Sequence, residues 1–270
     1  MLLAVDIGNT NITLGIFTGE SLRQRLCFVS NPLWTPDEYG IAMLDSFRRV
    51  GVAAANINAI ALGSVVPALT PLLAEACINY LGCMPFIADE TMQTGLRSLY
   101  DNPRQLGVDR IIAAAAAYKM YGGPACVIDF GTATTFDAVS ADGCHLGGAI
   151  APGMGITAEA LFRRVSKLYD PDIAFEYERS PSVIGRSVRQ SLQSGLLYGY
   201  VGLVEGMIAR FRAELGADAK IIATGGLSGI IAGETAVIDI LAPYLLLDGL
   251  NILYHKNCGS EITVTCSLSC

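Results

Sequence analysis

Basic residues are scarce in this 270-residue chain: 18 Lys and Arg stand against 25 Asp and Glu, for a formal charge of −7. Holding nucleic acid by neutralising its phosphates takes the opposite surplus, so no nucleic-acid partner is expected. Long apolar runs are missing too. Stretches such as Ile111–Ala117 fall far short of the roughly 20 residues that a bilayer span needs, so no membrane partner is expected either. Only five residues precede Asp6 and none is basic, which is not how a secretory leader opens, and the chain is read as cytoplasmic. Histidine is limited to His145 and His255, and the eight cysteines form no C-x-x-C pair, so zinc-ligand spacing is absent. The cysteines read instead as small buried hydrophobes of a reducing compartment. Neither a G-x-x-x-x-G-K-[ST] loop nor a G-x-G-x-x-G after the first strand occurs.

What the chain has in abundance is apolar surface: 52% of residues are hydrophobic and 16% charged. That composition excludes disorder, and the length fits two domains at about 150 residues each, or one large one. Met1–Asp6, Ile12–Phe17 and Leu22–Val29 read as a three-stranded meander. Thr35-Pro36-Asp37-Glu38 has capping-box spacing, with Pro at the first helical position and Gly51 to close the helix. A strand over Ala59–Ser64 and a helix over Pro71–Leu81 are predicted next, the helix with Leu72, Cys77 and Tyr80 among its apolar positions and Gly82 beyond it. A strand over Pro85–Ala88 and a helix over Ile111–Tyr121 follow. Strands are then predicted over Ala125–Asp129, Thr135–Ser140 and Gly143–Ile150, and helices over Ile156–Leu168 and Ser182–Leu215. A strand over Lys220–Ala223 and a helix over Ala242–Tyr254 complete the pattern. A last strand candidate is Glu261–Cys266.

The order restarts halfway. Val5-Asp6-Ile7-Gly8-Asn9-Thr10-Asn11-Ile12 lines up residue for residue with Ile128-Asp129-Phe130-Gly131-Thr132-Ala133-Thr134-Thr135, 123 positions later. A repeat at about half the chain length points to two domains of one ancestral fold, divided near Gly122-Gly123-Pro124. In each copy a strand ends in Asp, where ligands of α/β proteins bind, and a Gly lets the backbone turn tightly. Hydroxyl or amide side chains then join the exposed N–H groups of the turn, a construction that cradles phosphate oxygens. A carboxylate cannot face phosphate without a cation between them, which is the usual place of Mg²⁺ in nucleotide sites. Ordinary hairpin turns also use Asp, Gly and Asn, but two copies in register favour the ligand reading. Thr224–Gly229, glycine-rich after a strand, would approach the adenine or ribose.

Six segments together carry a family likeness: Asp6-x-Gly-Asn-Thr-Asn, Ser64-Val-Val-Pro, Tyr100-Asp-Asn-Pro-Arg-x-x-Gly-x-Asp-Arg110, Asp129-Phe-Gly-Thr-Ala-Thr-Thr, Gly147-Gly-Ala-Ile-Ala-Pro-Gly and Ala223-Thr-Gly-Gly. In this order they resemble the type III pantothenate kinases, within the acetate and sugar kinase, heat-shock and actin superfamily, over Met1 to about Asn257. The resemblance implies an α/β fold of two duplicated actin-like (ribonuclease-H-like) domains, each a mixed sheet flanked by helices, with an interdomain cleft. Residues 1–122 would form the N-terminal domain and 123–257 the C-terminal one, leaving 258–270 as a tail without a counterpart. It implies phosphorylation of pantothenate by ATP to 4′-phosphopantothenate, which opens coenzyme A synthesis, in a homodimer whose substrate pocket is shared between subunits.

The site residues follow from the same resemblance. Asp6, Ile7, Gly8, Asn9, Thr10, Asn11, Ile12 and Thr13 would bind the phosphates of ATP, with Thr132 as a second phosphate contact. Asp129 would hold a monovalent cation, K⁺ or NH₄⁺, while Mg²⁺ arrives with the nucleotide. Asp109 matches the catalytic base, at a helix start whose dipole favours its ionised form. Arg110 would pair with the substrate carboxylate, for which a planar fork suits better than Lys. Tyr100, Gly107 and Val108 complete the pantothenate-contacting stretch. Two positions depart from the family pattern: Val108 stands where Ala is usual, and Val188 stands at a substrate contact where Thr is usual, which removes a hydroxyl. Two other readings stay open: another small-molecule kinase or phosphatase of the superfamily, and a non-enzymatic ATP-binding accessory factor for transcription. The Tyr100–Arg110 stretch speaks against the first, and retention of both Asp109 and Asp129 against the second.

Overall fold

The computed structural model describes residues 1–164 and 182–259. Two compact units share the chain: Met1–Gly95, Asn102–Ala116 and the chain from Leu246 on make the first, Leu96–Asp101 and Ala117–Leu245 the second.

The first sheet has the order β3-β2-β1-β4-β5, from Leu2–Ile7 (β1), Asn11–Thr18 (β2), Ser21–Val29 (β3), Ala59–Ser64 (β4) and Phe86–Ile87 (β5). β1, β2 and β3 run antiparallel, while β4 and β5 join β1 in parallel. The second sheet repeats this with Ala125–Phe130 (β7), Ala133–Val139 (β8), Cys144–Pro152 (β9), Lys220–Thr224 (β10) and Ile240–Leu241 (β11), in the order β11-β10-β7-β8-β9. Orientations match pair by pair, and β1 and β7 even alternate identically between buried and half-buried residues. One strand has no counterpart: Arg97–Ser98 (β6) adds in parallel to the outer edge of β9.

Register corrects the residue-for-residue repeat. Asp6 lies opposite Thr13, and Asp129 lies opposite Thr135. The first turn therefore holds one residue more, and beyond it the offset between the copies falls from 123 to 122. Side chains alternate with a period of two, so matching Ile12 with Thr135 would set a buried residue against a half-buried one. Thr13 is the true counterpart.

Helices cover the sheets by simple local rules. In Pro36–Arg49 (α1) the capping box closes, with Glu38 N–H donating to Thr35 Oγ1 at 3.3 Å and Thr35 N–H to Glu38 Oε2 at 2.7 Å. Thr70–Leu81 (α2) ends at Gly82 in the left-handed region, φ 64°. Its buried positions are Leu73, Ala76 and Cys77; Leu72 is only partly covered, and Tyr80 instead donates its hydroxyl to Asp37. Together α1 and α2 bury Leu3, Val5, Ile7, Leu14 and Leu62 on one face of the first sheet. The other face carries Gly15 and Gly63, against which Leu247 and Leu250 of the last helix, Leu245–Cys258 (α7), and Ile112 of Val108–Tyr121 (α3) pack.

In the second unit, Val188–Leu215 (α5) lays Leu197, Tyr200, Val201, Val204 and Ile208 over Cys126, Ile128, Phe130, Phe136 and Ile221. Met154–Arg164 (α4) and Ser228–Ala232 (α6) add Met154 and Ile231 to that core. Burial, with Asp137 nearby adding a smaller push, raises the Cys126 thiol far above its ordinary value, so it stays protonated as a packing residue. α5 begins six residues later than expected because Ser187 caps it, its hydroxyl accepting from Gln190 N–H at 3.2 Å. The expected end of the helix at Leu168 and the strand Glu261–Cys266 lie outside the described residues. Among those residues no helix is long and apolar enough to cross a membrane.

Candidate active site

The first Asp-x-Gly turn is built so that its acceptors are occupied from behind. Gly8 N–H donates to Asn11 O at 3.0 Å. Ser30, just beyond β3, donates its hydroxyl to Gly8 O at 2.6 Å and its N–H to Thr10 O at 2.9 Å. Asn9, Thr10 and Asn11 stand exposed beyond Ile7, while Ile12 is buried and Asp6 and Thr13 are half-buried on the pleat. With carbonyls engaged on one side, what the turn can offer an anion is N–H, amide and hydroxyl donors.

The second turn uses glycine where the first uses serine. Gly131 N–H donates to Ala133 O at 3.1 Å, and Gly131 and Thr132 are exposed. Gly153 backs onto their carbonyls so closely that a Cβ there would lie 2.6 Å from Gly131 O and nearer still to Thr132 O. Behind Asp129, Gly225 holds φ +89°, and a Cβ on it would strike the Asp129 carboxylate and come within 2.8 Å of Phe130 N and C. Thr224 sits beside Asp129 in the parallel register, and Ser228 fixes the bend by donating to Gly225 O at 2.7 Å. Within Thr224–Gly229, it is Gly225 that lies against the Asp129 carboxylate.

At the start of α3 the Asp109 carboxylate folds back over the helix end: Oδ1 accepts Arg110 N–H at 2.8 Å. Arg110 and Ile111 N–H also donate to Gly107 O, at 3.1 and 3.2 Å, so Gly107 acts as the cap and Val108 opens the first turn. A Cβ at Gly107 would overlap Asp109 Oδ1, so this position tolerates only glycine while the carboxylate stays there. Negative charge at a helix N-terminus is favoured by the helix dipole. Arg110 is 6% exposed, a strongly buried guanidinium one residue from that carboxylate.

The remaining candidates belong to the second unit. Tyr100 follows β6, half-buried, its ring centroid 6.2 Å from that of His145. Val188 is the first residue of α5 and more than half exposed. Beside it Ser182, Ile184, Arg186 and Gln190 line a hollow of about 320 Å³. Ser187, expected on a helical face, is the cap instead. The first unit thus carries Asp6–Thr13, Gly107, Val108, Asp109 and Arg110, and the second Tyr100, Asp129, Thr132 and Val188. Among the described residues no three His, Cys, Asp or Glu side chains gather as a metal cage. The donor set fits a cation completed by backbone or phosphate oxygens, as hard cations on nucleotides are. Sequence reasoning missed the contact between Tyr100 and His145, because β6 is two residues long and exists only by pairing with β9.

A family model described as type III pantothenate kinase matches residues 2–210. A type III pantothenate kinase of Moorella thermoacetica is 46% identical over 257 residues, 95% of this chain and all of that protein. Among solved structures, a Campylobacter jejuni protein designated a Baf family transcriptional activator superposes with a TM-score of 0.60 at 20% identity, covering 94% of this chain and 98% of that one. A Sinorhizobium meliloti protein designated a 2-dehydro-3-deoxygalactonokinase superposes with a TM-score of 0.58 at 12% identity, covering 98% and 99%. At such identities the two structures speak for the fold alone, the actin-like kinase fold.

Proposed function

This chain belongs to the type III pantothenate kinase family, and from that premise we infer that it transfers the γ-phosphoryl group of ATP to the primary hydroxyl of pantothenate. The observation that carries the reading on this chain's own residues is the doubled Asp-x-Gly turn, together with a carboxylate at the start of α3. Phosphoryl transfer asks a protein for positioning and charge neutralisation more than for covalent chemistry. Donors of the Asp6–Thr13 turn and Thr132 hold the phosphate oxygens. Mg²⁺, bound with the nucleotide, neutralises charge on the phosphates. Asp129, with the Gly225 backbone against it, would hold a monovalent cation, K⁺ or NH₄⁺.

Asp109 orients the acceptor alcohol and takes its proton as the oxygen bonds to the γ-phosphorus and the bond to the ADP oxygen breaks. A carboxylate suffices as base because in a loose transition state the proton moves late. Arg110 pairs with the pantothenate carboxylate, and Tyr100, Gly107, Val108 and Val188 complete its surroundings. At Val188 the contact is by shape, since no hydroxyl is available there. The deciding assay offers pantothenate and MgATP with KCl or NaCl at equal ionic strength. Formation of 4′-phosphopantothenate in KCl, at least about tenfold faster than in NaCl, is expected; full rate in NaCl overturns the role of Asp129, and no product in either overturns the reading.

The enzyme acts as a homodimer in the cytoplasm. Supporting the dimer, Val183, Ile184 and Val188 leave an apolar surface at the start of α5, with Ile184 80% exposed. Sedimentation at micromolar concentration should give twice the chain mass, and a monomer mass would exclude the shared pocket.

A further inference from the structure

β8 and β9 carry a buried ionisable pair that the reaction above leaves unused. Asp137 is 1% exposed and His145 2%, and His145 Nε2 lies 2.8 Å from Asp137 Oδ1. Nδ1 of the same ring is buried without a hydrogen-bond partner among the described residues. The proton therefore belongs on Nε2, donated to the carboxylate, since an unpartnered lone pair costs less than an unpartnered N–H. Desolvating such a pair costs more than burying two apolar side chains in its place.

The fold itself does not ask for it, as the other copy shows. With Asp6–Thr13 matched to Asp129–Thr135, Gly15 is the counterpart of Asp137 and Leu22 the counterpart of His145. Both sheets break register at the same place, between Ile16 and Phe17 in one and between Ala138 and Val139 in the other. That bulge skips Leu146 and sets His145 opposite Val139, on the face that carries Asp137. Gly147, at φ +118°, supplies the backbone geometry. In the first unit the same two positions are filled by packing alone, a Cβ on Gly15 falling 3.1 Å from Leu22 Cδ1.

What distinguishes the second copy is the strand added beside it. Ser98 pairs with His145, Leu99 N–H donates to His145 O at 2.9 Å, and the Tyr100 ring is tilted 35° to the imidazole. β3, the counterpart of β9, is an edge strand with nothing to place. We propose that Asp137 and His145 are positioning residues for the acceptor substrate: the carboxylate locks the imidazole, and the imidazole is the platform that fixes Tyr100 against pantothenate. This rests on reading Tyr100 as a pantothenate contact.

The test replaces the pair by the first unit's own solution, D137G/H145L. The variant should fold, raise KM for pantothenate roughly tenfold and leave KM for ATP within about twofold, with kcat less affected than KM. His145→Gln, which keeps an N–H donor toward Asp137, should recover part of that loss. Pantothenate KM within about twofold of the parent in both variants, or equal rises of the two KM values, would overturn the proposal. Should the double variant not fold, His145→Gln and Tyr100→Leu are combined in a cycle: non-additive effects on pantothenate KM support the platform, and additive ones overturn it. Failure of the unaltered enzyme to phosphorylate pantothenate is a different result, which removes the underlying reading as well.

Discussion

Asp109→Asn is expected to lower turnover of pantothenate by about 10²- to 10⁴-fold while changing ATP affinity by no more than about twofold. The substitution is nearly isosteric, and Asn can still accept Arg110 N–H through its remaining carbonyl oxygen, so the helix start and the fit over Gly107 persist. What disappears is an anionic oxygen that can orient an alcohol and accept its proton. Because the proton moves late, most of the loss should appear in kcat, with pantothenate KM moving little. Nucleotide affinity, read by calorimetry with a non-hydrolysable analogue, should hold, since the two Asp-x-Gly turns proposed to hold the phosphates are separate elements. Activity equal to that of the parent would remove Asp109 from the mechanism.

Gly225→Ala should destabilise the second unit strongly. At φ +89° an L side chain is strained by about 1–3 kcal/mol, and its Cβ would meet the Asp129 carboxylate and the Phe130 backbone at 2.8 Å. Backbone cannot yield cheaply, so about 3 kcal/mol of stability or more should be lost in denaturant titrations. The displaced Asp129 should also raise the potassium concentration needed for half-maximal rate. Gly226→Ala is the control, since a Cβ there meets nothing within 4 Å, and it should stay within about 0.5 kcal/mol of the parent. Equal effects at the two positions would show that the close approach at Gly225 is unimportant.

Local chemistry explains which parts of this fold could be foreseen. The two meanders, the Thr35 capping box and the left-handed Gly82 all depend on neighbours a few residues apart, and each forms where its pattern stands. α3 instead begins at Val108, three residues before the expected Ile111, because Gly107 O accepts the N–H groups of Arg110 and Ile111. β6 and β11 escaped because each is two residues long and set by its partner strand, β9 for one and β10 for the other. The one-residue difference between the turns was hidden because strand alternation is restored only after pairing is known. Of the candidate site, both Asp-x-Gly turns and the Asp109 helix start were legible. The Asp137–His145 pair was not, because a bulge, not a spacing, brings those two side chains to one face.

The last described helix has a bearing on biogenesis. Leu247 and Leu250 cover Gly15 and Gly63, strands made near the beginning of synthesis. A ribosome must therefore emit the whole of the second unit before α7 can complete the cover that Ile112 of α3 begins. The earliest strands emerge first yet mature last, and until then one face of the nascent sheet is only partly covered and accessible to chaperones.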